Sequence, residues 1–165
     1  MTRMHDSLAL GHPRLAAALQ QHTVRELMIT APKTLPISTR LGTVHAAFED
    51  SHVHLLLLTN NGTLYGTLSR ADLRPDLPAT VLALPQASLL GRTIAPDERI
   101  LVAYDLLISS ELRRLAVVGA GNELLGLLCL KRDLSGFCSD EGVAARQRER
   151  ELQQHDFAPA PITYD

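Results

Sequence analysis

Apolar and polar positions alternate in two rhythms along this chain, and both rhythms occur twice. Val53 to Thr59 is almost unbroken apolar and stops at Asn60-Asn61-Gly62, which predicts a buried strand that runs into a hairpin turn. Leu64 to Leu68 is the predicted returning strand. Upstream, Leu41, Val44, Ala47 and Phe48 stand at i, i+3, i+6 and i+7, the stripe of an amphipathic helix with Ser38 or Thr39 as its N-cap and an end near Ser51. Before it, Thr34-Leu35-Pro36-Ile37 reads as a short extended piece. Pro36 cannot donate to a ladder, so that piece belongs at a sheet edge or outside regular pairing. Beyond the hairpin, Gly66-Thr67-Leu68-Ser69-Arg70-Ala71-Asp72 leaves the strand through a glycine and ends in Ser-x-x-Asp, which predicts a helix starting at Ser69.

The same order then recurs. Arg92-Thr93-Ile94-Ala95-Pro96-Asp97 is similar in kind to Lys33-Thr34-Leu35-Pro36-Ile37-Ser38. Ile100 to Leu107 matches the helix, Leu115 to Val118 the strand, Gly119-Ala120-Gly121-Asn122 the turn, and Gly126 to Asp133 the glycine exit. Leu35 and Ile94, Leu41 and Ile100, and Ser51 and Ser110 are each 59 residues apart, and Gly66 and Gly126 are 60 apart. A constant offset over several landmarks marks an internal repeat, here of strand, helix, hairpin and helix.

Residues 1–12 are polar and irregular. From Pro13, Leu15, Ala18 and Leu19 share a face of a short opening helix, and Val24, Leu27 and Met28 line a second helical turn from Thr23 to Met28. Thr23 and Glu26 form its capping box, and it stops before Pro32. After Phe137, Ser139-Asp140-Glu141 caps a helix whose Arg146, Arg148, Glu149, Arg150 and Glu151 are solvated, and the tail from Phe157 is read as flexible or draped over a partner. The expected divisions are 1–22, a first repeat at 23–80, a second at 81–137, and a C-terminal helix and tail at 138–165.

Composition narrows the function classes. The chain has 165 residues, 45% hydrophobic and 21% charged, with a formal charge of −2, which suits one compact body and leaves no electrostatic footprint for nucleic acid. Apolar runs such as Leu55 to Leu58 are far short of the roughly 20 residues that span a bilayer. Cys129 and Cys138 lie nine apart without a Cys-x-x-Cys pattern, and read as a core thiol and a loop thiol in a reducing cytoplasm. His52 and His54 share a strand face but have no third ligand spaced with them, so no metal site is expected. No nucleophile elbow or oxyanion loop accompanies the serines, so no catalytic site is expected either.

Val24-Arg25-Glu26-Leu27-Met28, the Ala46-Ala47-Phe48 helix, the apolar strand ending in Asn-Gly and, above all, Gly66 to Asp72 resemble the tandem cystathionine-β-synthase (CBS) domain pair, or Bateman module, over roughly Thr23 to Phe137. The resemblance implies an α+β fold of two β-α-β-β-α units about a pseudo-twofold axis. It implies a regulatory, non-enzymatic protein that senses AMP, ADP, ATP or S-adenosylmethionine in clefts between the units, with no cofactor required and homodimerisation through helices, while the charge and the short apolar runs leave no nucleic-acid or membrane partner expected. Leu106, Leu107 and Ile108 are the apolar helix positions in question.

Carried over residue by residue, the resemblance puts Ser69 and Arg70 near ribose and phosphate and Asp72 on the ribose hydroxyls. Thr34, Leu35, Pro36, His54 and Leu55 then flank the base. A second, degenerate site falls on Thr93, Ile94, Arg113, Arg114, Lys131, Arg132 and Asp133. There Cys129 replaces the serine, and the glycine-to-aspartate spacing is one residue longer, which a rotation on a helix or a bulge must absorb. The plain alternative for Ser69 and Asp72 is a capping box that needs no ligand. The matching alternative for the whole chain is a ligand-free dimerising scaffold or interaction module.

Overall fold

The computed structural model describes Ala17 and residues 19–156, so most of the predicted opening helix, the segment 1–12 and the tail from Phe157 lie outside the described residues. The chain forms α1 (Val24–Leu27), β1 (Thr34–Pro36), α2 (Leu41–Ala47), β2 (Leu56–Asn60), β3 (Thr63–Leu68) and a 3-10 turn at Arg70–Asp72. A second 3-10 turn, Leu84–Gln86, leads to β4 (Thr93–Ile94), α3 (Ile100–Ser109), β5 (Arg114–Val118), a turn at Ala120–Asn122, β6 (Leu124–Cys129) and α4 (Asp140–Asp156). Two three-stranded sheets result, β1-β2-β3 and β4-β5-β6. In each, the first pair is parallel and the second antiparallel, and a bulge falls at matching places, Leu58/Thr59 and Val117/Val118. This is the predicted α+β repeat. β1 lies at a sheet edge, where Pro36 is tolerated.

The unbroken apolar run has a direct cause. Leu56 and Leu58 pack with Leu41, Val44, Phe48 and Leu68 under α2. Leu55 and Leu57 point the other way, into a core shared with Leu64 and with Ala116 of the second sheet. A strand covered on both faces has no solvent side to mark with polar residues. The Asn61-Gly62 turn that follows it, and Gly121-Asn122 in the longer turn after β5, hold both residues at positive φ, which suits the twist of a tight hairpin.

The units are cross-connected. Val24 is buried in the core of the second unit, with its N–H on the Glu98 carbonyl at 3.0 Å. Ile29 pairs antiparallel with Leu127 of β6 through bonds of 2.8 and 3.0 Å, and Ser88 pairs with Thr67 of β3 through bonds of 3.0 and 2.9 Å. The chain leading into each sheet therefore borders the hairpin of the other. This close approach explains the repeated glycine: a Cβ at Gly66 would stand 2.5 Å from the Ala87 Cβ, and one at Gly126 would stand 2.5 Å from the Ile29 carbonyl oxygen.

Several local expectations are corrected. Arg40, not Ser38 or Thr39, is the N-cap of α2, and no side-chain cap bond is made. The free helix donors go instead to backbone, Leu41 N–H to the Val81 carbonyl and Gly42 N–H to the Ala79 carbonyl, both at 2.9 Å. Thr23 makes no capping bond either, its hydroxyl meeting the Glu26 carboxylate at 3.3 Å. The buried strand starts at Leu56 instead of Val53, and α3 runs on to Ser109.

Beyond Ser69 there is one 3-10 turn and no helix, since Leu73 is already extended ahead of Pro75. In the second unit even this turn is replaced. The chain doubles back as a hairpin, with Leu130 opposite Phe137 and Lys131 N–H on the Gly136 carbonyl at 2.9 Å. That reversal brings Cys129 and Cys138 face to face, with Cα atoms 5.2 Å apart, and they form a disulfide in place of the two separate thiols expected. Ser139 then caps α4 by accepting the Gly142 N–H at 3.1 Å. Asp140 ties the start of α4 to Thr30 N–H and Oγ1 at 2.8 and 2.9 Å, and Arg150 reaches Asp50 of the first unit at 2.9 Å.

Candidate functional site

β3 delivers Ser69 at its C-terminal end, buried and extended, and the 3-10 turn swings Asp72 back over it. Asp72 Oδ2 accepts the Ser69 N–H at 2.7 Å and the Ser69 hydroxyl at 3.0 Å. This is the carboxylate half of a capping box. A cation that sequence reasoning did not include completes the group. The Arg92 guanidinium, on the chain leading into β4, donates from Nη1 to Asp72 Oδ2 at 2.5 Å and from Nη2 to Oδ1 at 2.9 Å. It also donates to the Thr67 carbonyl at 3.2 Å and the Thr67 hydroxyl at 3.3 Å. Burial alone would raise the Asp72 pKa, but the bonds from Arg92 and then Ser69 outweigh it and hold the carboxyl below its usual value.

The register Leu56 opposite Leu68 sets His54 and Arg70 at this same end of the sheet. His54 is held below its ordinary value by burial, and then by the positive charge of Arg114, Arg70, Arg132 and His52. Arg114 is pulled down to about 10 by burial and by Arg146 and Arg132. The Arg114 guanidinium donates to the Leu112 carbonyl at 2.9 Å, that of Arg113 to the Arg132 carbonyl, and that of Arg70 to the Phe48 and Asp50 carbonyls at 2.8 and 2.9 Å, lying over the Phe48 ring. These arginines are satisfied by neutral carbonyls, which leaves their charge available to an anion.

Of the other expected residues, Thr34 pairs with Leu57 and so starts β1 at the same end of the first sheet as Leu55, His54 and Ser69. Thr34 and Pro36 are exposed on the edge strand, while Leu35 packs into the first core and Leu55 into the core between the units. Thr93 is half-buried and Ile94 belongs to the second core. Lys131, Arg132 and Asp133 are exposed on the second hairpin. There Asp133 accepts the Ser135 N–H at 3.0 Å and its hydroxyl at 2.7 Å, so the copy of the Ser69–Asp72 arrangement is not formed. A cavity of about 460 Å³ lies beside this hairpin, bordered by Glu26, Met28, Lys131, Phe137, Asp140 and Glu141. Among the described residues no group of three or more His, Cys, Asp or Glu side chains is arranged to hold a metal ion. Arg92 had one sequence signal: it stands 59 residues after Lys33, at the same place in the repeat.

Residues 24–78 match the CBS domain family. The second unit repeats its sheet order and strand pairing, and solved CBS pairs superpose on both units together. The match covers the first unit, and the two units together have the fold of a CBS domain pair. No curated protein matches it. The CBS-pair protein CBSX2 from Arabidopsis thaliana is 19% identical, with 79% of this chain and 99% of that one covered at a TM-score of 0.56. A CBS domain pair/ACT domain protein from Thermotoga maritima is 16% identical over 83% of this chain and 100% of that one, at a TM-score of 0.57. CBSX2 has also been solved in complex with AMP, and that structure is 20% identical over 79% and 99% of the two chains, at a TM-score of 0.57. At these identities the likeness is one of fold. No helix among the described residues is long and apolar enough to cross a membrane.

Proposed function

We propose that this CBS pair is a regulatory, non-catalytic module that binds an adenosine-containing nucleotide, AMP, ADP, ATP or S-adenosylmethionine, at the end of β3. The observation that carries the reading is the Ser69–Asp72 pair, a hydroxyl and an ionised carboxylate at a strand exit, with His54 and Arg70 at the same end of the sheet and Arg114 and Arg132 of the second unit near enough to act on His54. A carboxylate accepts the two hydroxyls of a ribose, and guanidinium groups suit phosphate. The AMP complex of CBSX2 shows that a protein of this fold accommodates such a ligand.

A ligand acts on such a module only through different affinities for two of its states. Homodimerisation is the readout that this reading proposes. Leu101, Val102 and Leu106 are 44%, 43% and 46% exposed on the outer face of α3. Leu107 is buried and Ile108 packs on the core, so neither belongs to that face as the sequence had suggested.

A thermal-shift and calorimetric titration with the four ligands tests the proposal. A ligand at 100 times its dissociation constant adds about 2.7 kcal/mol. The shift should be lost in Asp72→Asn, which keeps the shape of the side chain and removes its charge. A shift that survives unchanged in Asp72→Asn refutes the site. Asp72→Ala is the poorer probe, because it also strands Arg92. The second reading, a ligand-free scaffold, is favoured by Arg92 itself, which already satisfies the carboxylate. The absence of a shift with every ligand at millimolar concentration would select it.

A further inference from the structure

The Asp72 carboxylate offers about four acceptor directions, two on each oxygen, and four donors crowd it, three on Oδ2 and one on Oδ1, so that one direction at most, on Oδ1, stays open. Oδ2 takes the Ser69 N–H, the Ser69 hydroxyl and Arg92 Nη1, and Oδ1 takes Arg92 Nη2. The pair is sheltered, with side chains 17% and 18% exposed, so it is weakly screened by salt. A ribose cannot place both of its hydroxyls on this carboxylate while the guanidinium lies across it.

Arg92 is free to leave in a way that Ser69 is not. Ser69 N–H is fixed by the backbone, whereas Arg92 is a long side chain set beside the turn at Gly91, whose φ is +68°. Its own backbone is committed to the second unit, since the Arg92 carbonyl accepts the Ala116 N–H at 2.8 Å. Once off Asp72, the guanidinium has one strong kind of replacement acceptor available from a nucleotide, a phosphate, which it binds with the same two-pronged geometry.

We propose that Arg92 is an internal latch on the Asp72 carboxylate, exchanged for a ribose on binding and recaptured by the phosphate of the same ligand. The inference rests on the nucleotide reading above. The latch makes the site selective for phosphorylated nucleosides, because adenosine must leave Arg92 without an anionic partner and AMP need not. It also links occupancy to geometry between the units, since the exchanged side chain grows from the segment that enters β4 of the second sheet.

The test is calorimetric titration of adenosine and of AMP into the full chain and into Arg92→Gln, with Arg92→Lys as the variant that keeps the charge and loses the fork. Circular dichroism verifies the fold of each. The wild type should bind AMP at least about tenfold more tightly than adenosine. In Arg92→Gln, adenosine should bind about tenfold more tightly than in the wild type and the preference for AMP should collapse, with Arg92→Lys between them. Should Arg92→Gln fail to fold, the Arg92→Lys comparison alone decides, with the same direction required. Adenosine binding that is unchanged or weaker in the variants, while AMP still binds the wild type, overturns the latch alone. No binding of either ligand to any of the proteins overturns the nucleotide reading and the latch with it.

Discussion

Tyr104 lies wholly inside the second unit, and among the described residues its hydroxyl has no hydrogen-bond partner. Burial, followed by the nearby charge of Asp105, pushes its pKa up. An unpaired buried hydroxyl costs free energy that a phenyl ring does not. Tyr104→Phe should therefore leave stability unchanged or raise it by up to about 1 kcal/mol, as read from urea denaturation.

His54 makes a prediction of the opposite character. Folding depresses its pKa below 6.5, so the unfolded chain binds this proton more readily. The stability tied to it is complete above the unfolded value and is lost as pH falls through 6.5 towards the lower folded value. The wild type should melt earlier at about pH 5.5 than at about pH 7.5, and His54→Asn should remove part of that difference. If a phosphate sits among the arginines, AMP should raise the His54 pKa in an NMR titration.

Among the elements, the exits from the two hairpins show how one local pattern acquires two fates. Gly66 and Gly126 were legible as paired positions, but their reason is tertiary: the segment entering the other sheet, at Ala87 and at Met28-Ile29, passes where a Cβ would stand. Gly126→Ala meets the Ile29 carbonyl at 2.5 Å and the Met28 Sδ at 2.7 Å. Backbone cannot yield as a side-chain tip can, so the substitution should cost about 1–3 kcal/mol in a chemical denaturation. The Ser-x-x-Asp pattern was legible as a turn start. Its arrest after one 3-10 turn follows from Pro75. The second exit became a disulfide-closed hairpin because Gly136 and Cys138 offer their backbone to Lys131 and Cys129 across a tip at Leu134, whose φ is 62°. No local propensity announced that pairing. The caps of α2 were misread for a related reason. Orphan helix donors accept any carbonyl in reach, and here Val81 and Ala79, forty residues downstream, arrive before a side chain is needed.

At the scale of the molecule, the predicted limits at 80 and 81 follow the order of elements, whereas packing crosses them. Val24 is buried in the second core, and Ala83 in the first. The core between the sheets, made of Leu55, Leu57, Leu64 and Ala116, belongs to neither unit alone. Leu57 is 1% exposed there, and Leu57→Ala should cost about 2–5 kcal/mol. The two units should still unfold in a single transition, seen as coincident circular-dichroism and fluorescence-probe curves. α4 adds a further tie, since Asp140 holds Thr30 at its start and Arg150 holds Asp50 farther along.

The sequence by itself determined the repeat, the α+β class, the buried hairpins and the pair Ser69 and Asp72, because each is written in spacing within a few residues or in a constant offset. Only the tertiary structure decided what meets that pair. Arg92 lies twenty residues beyond Asp72 and faces it solely because the chain entering the second sheet pairs with β3. It decided likewise that Cys129 bonds Cys138 and that Leu35 and Leu55 pack against two different cores. Contacts of this kind depend on which strand lies beside which, and periodicity along one strand holds no information about its neighbour.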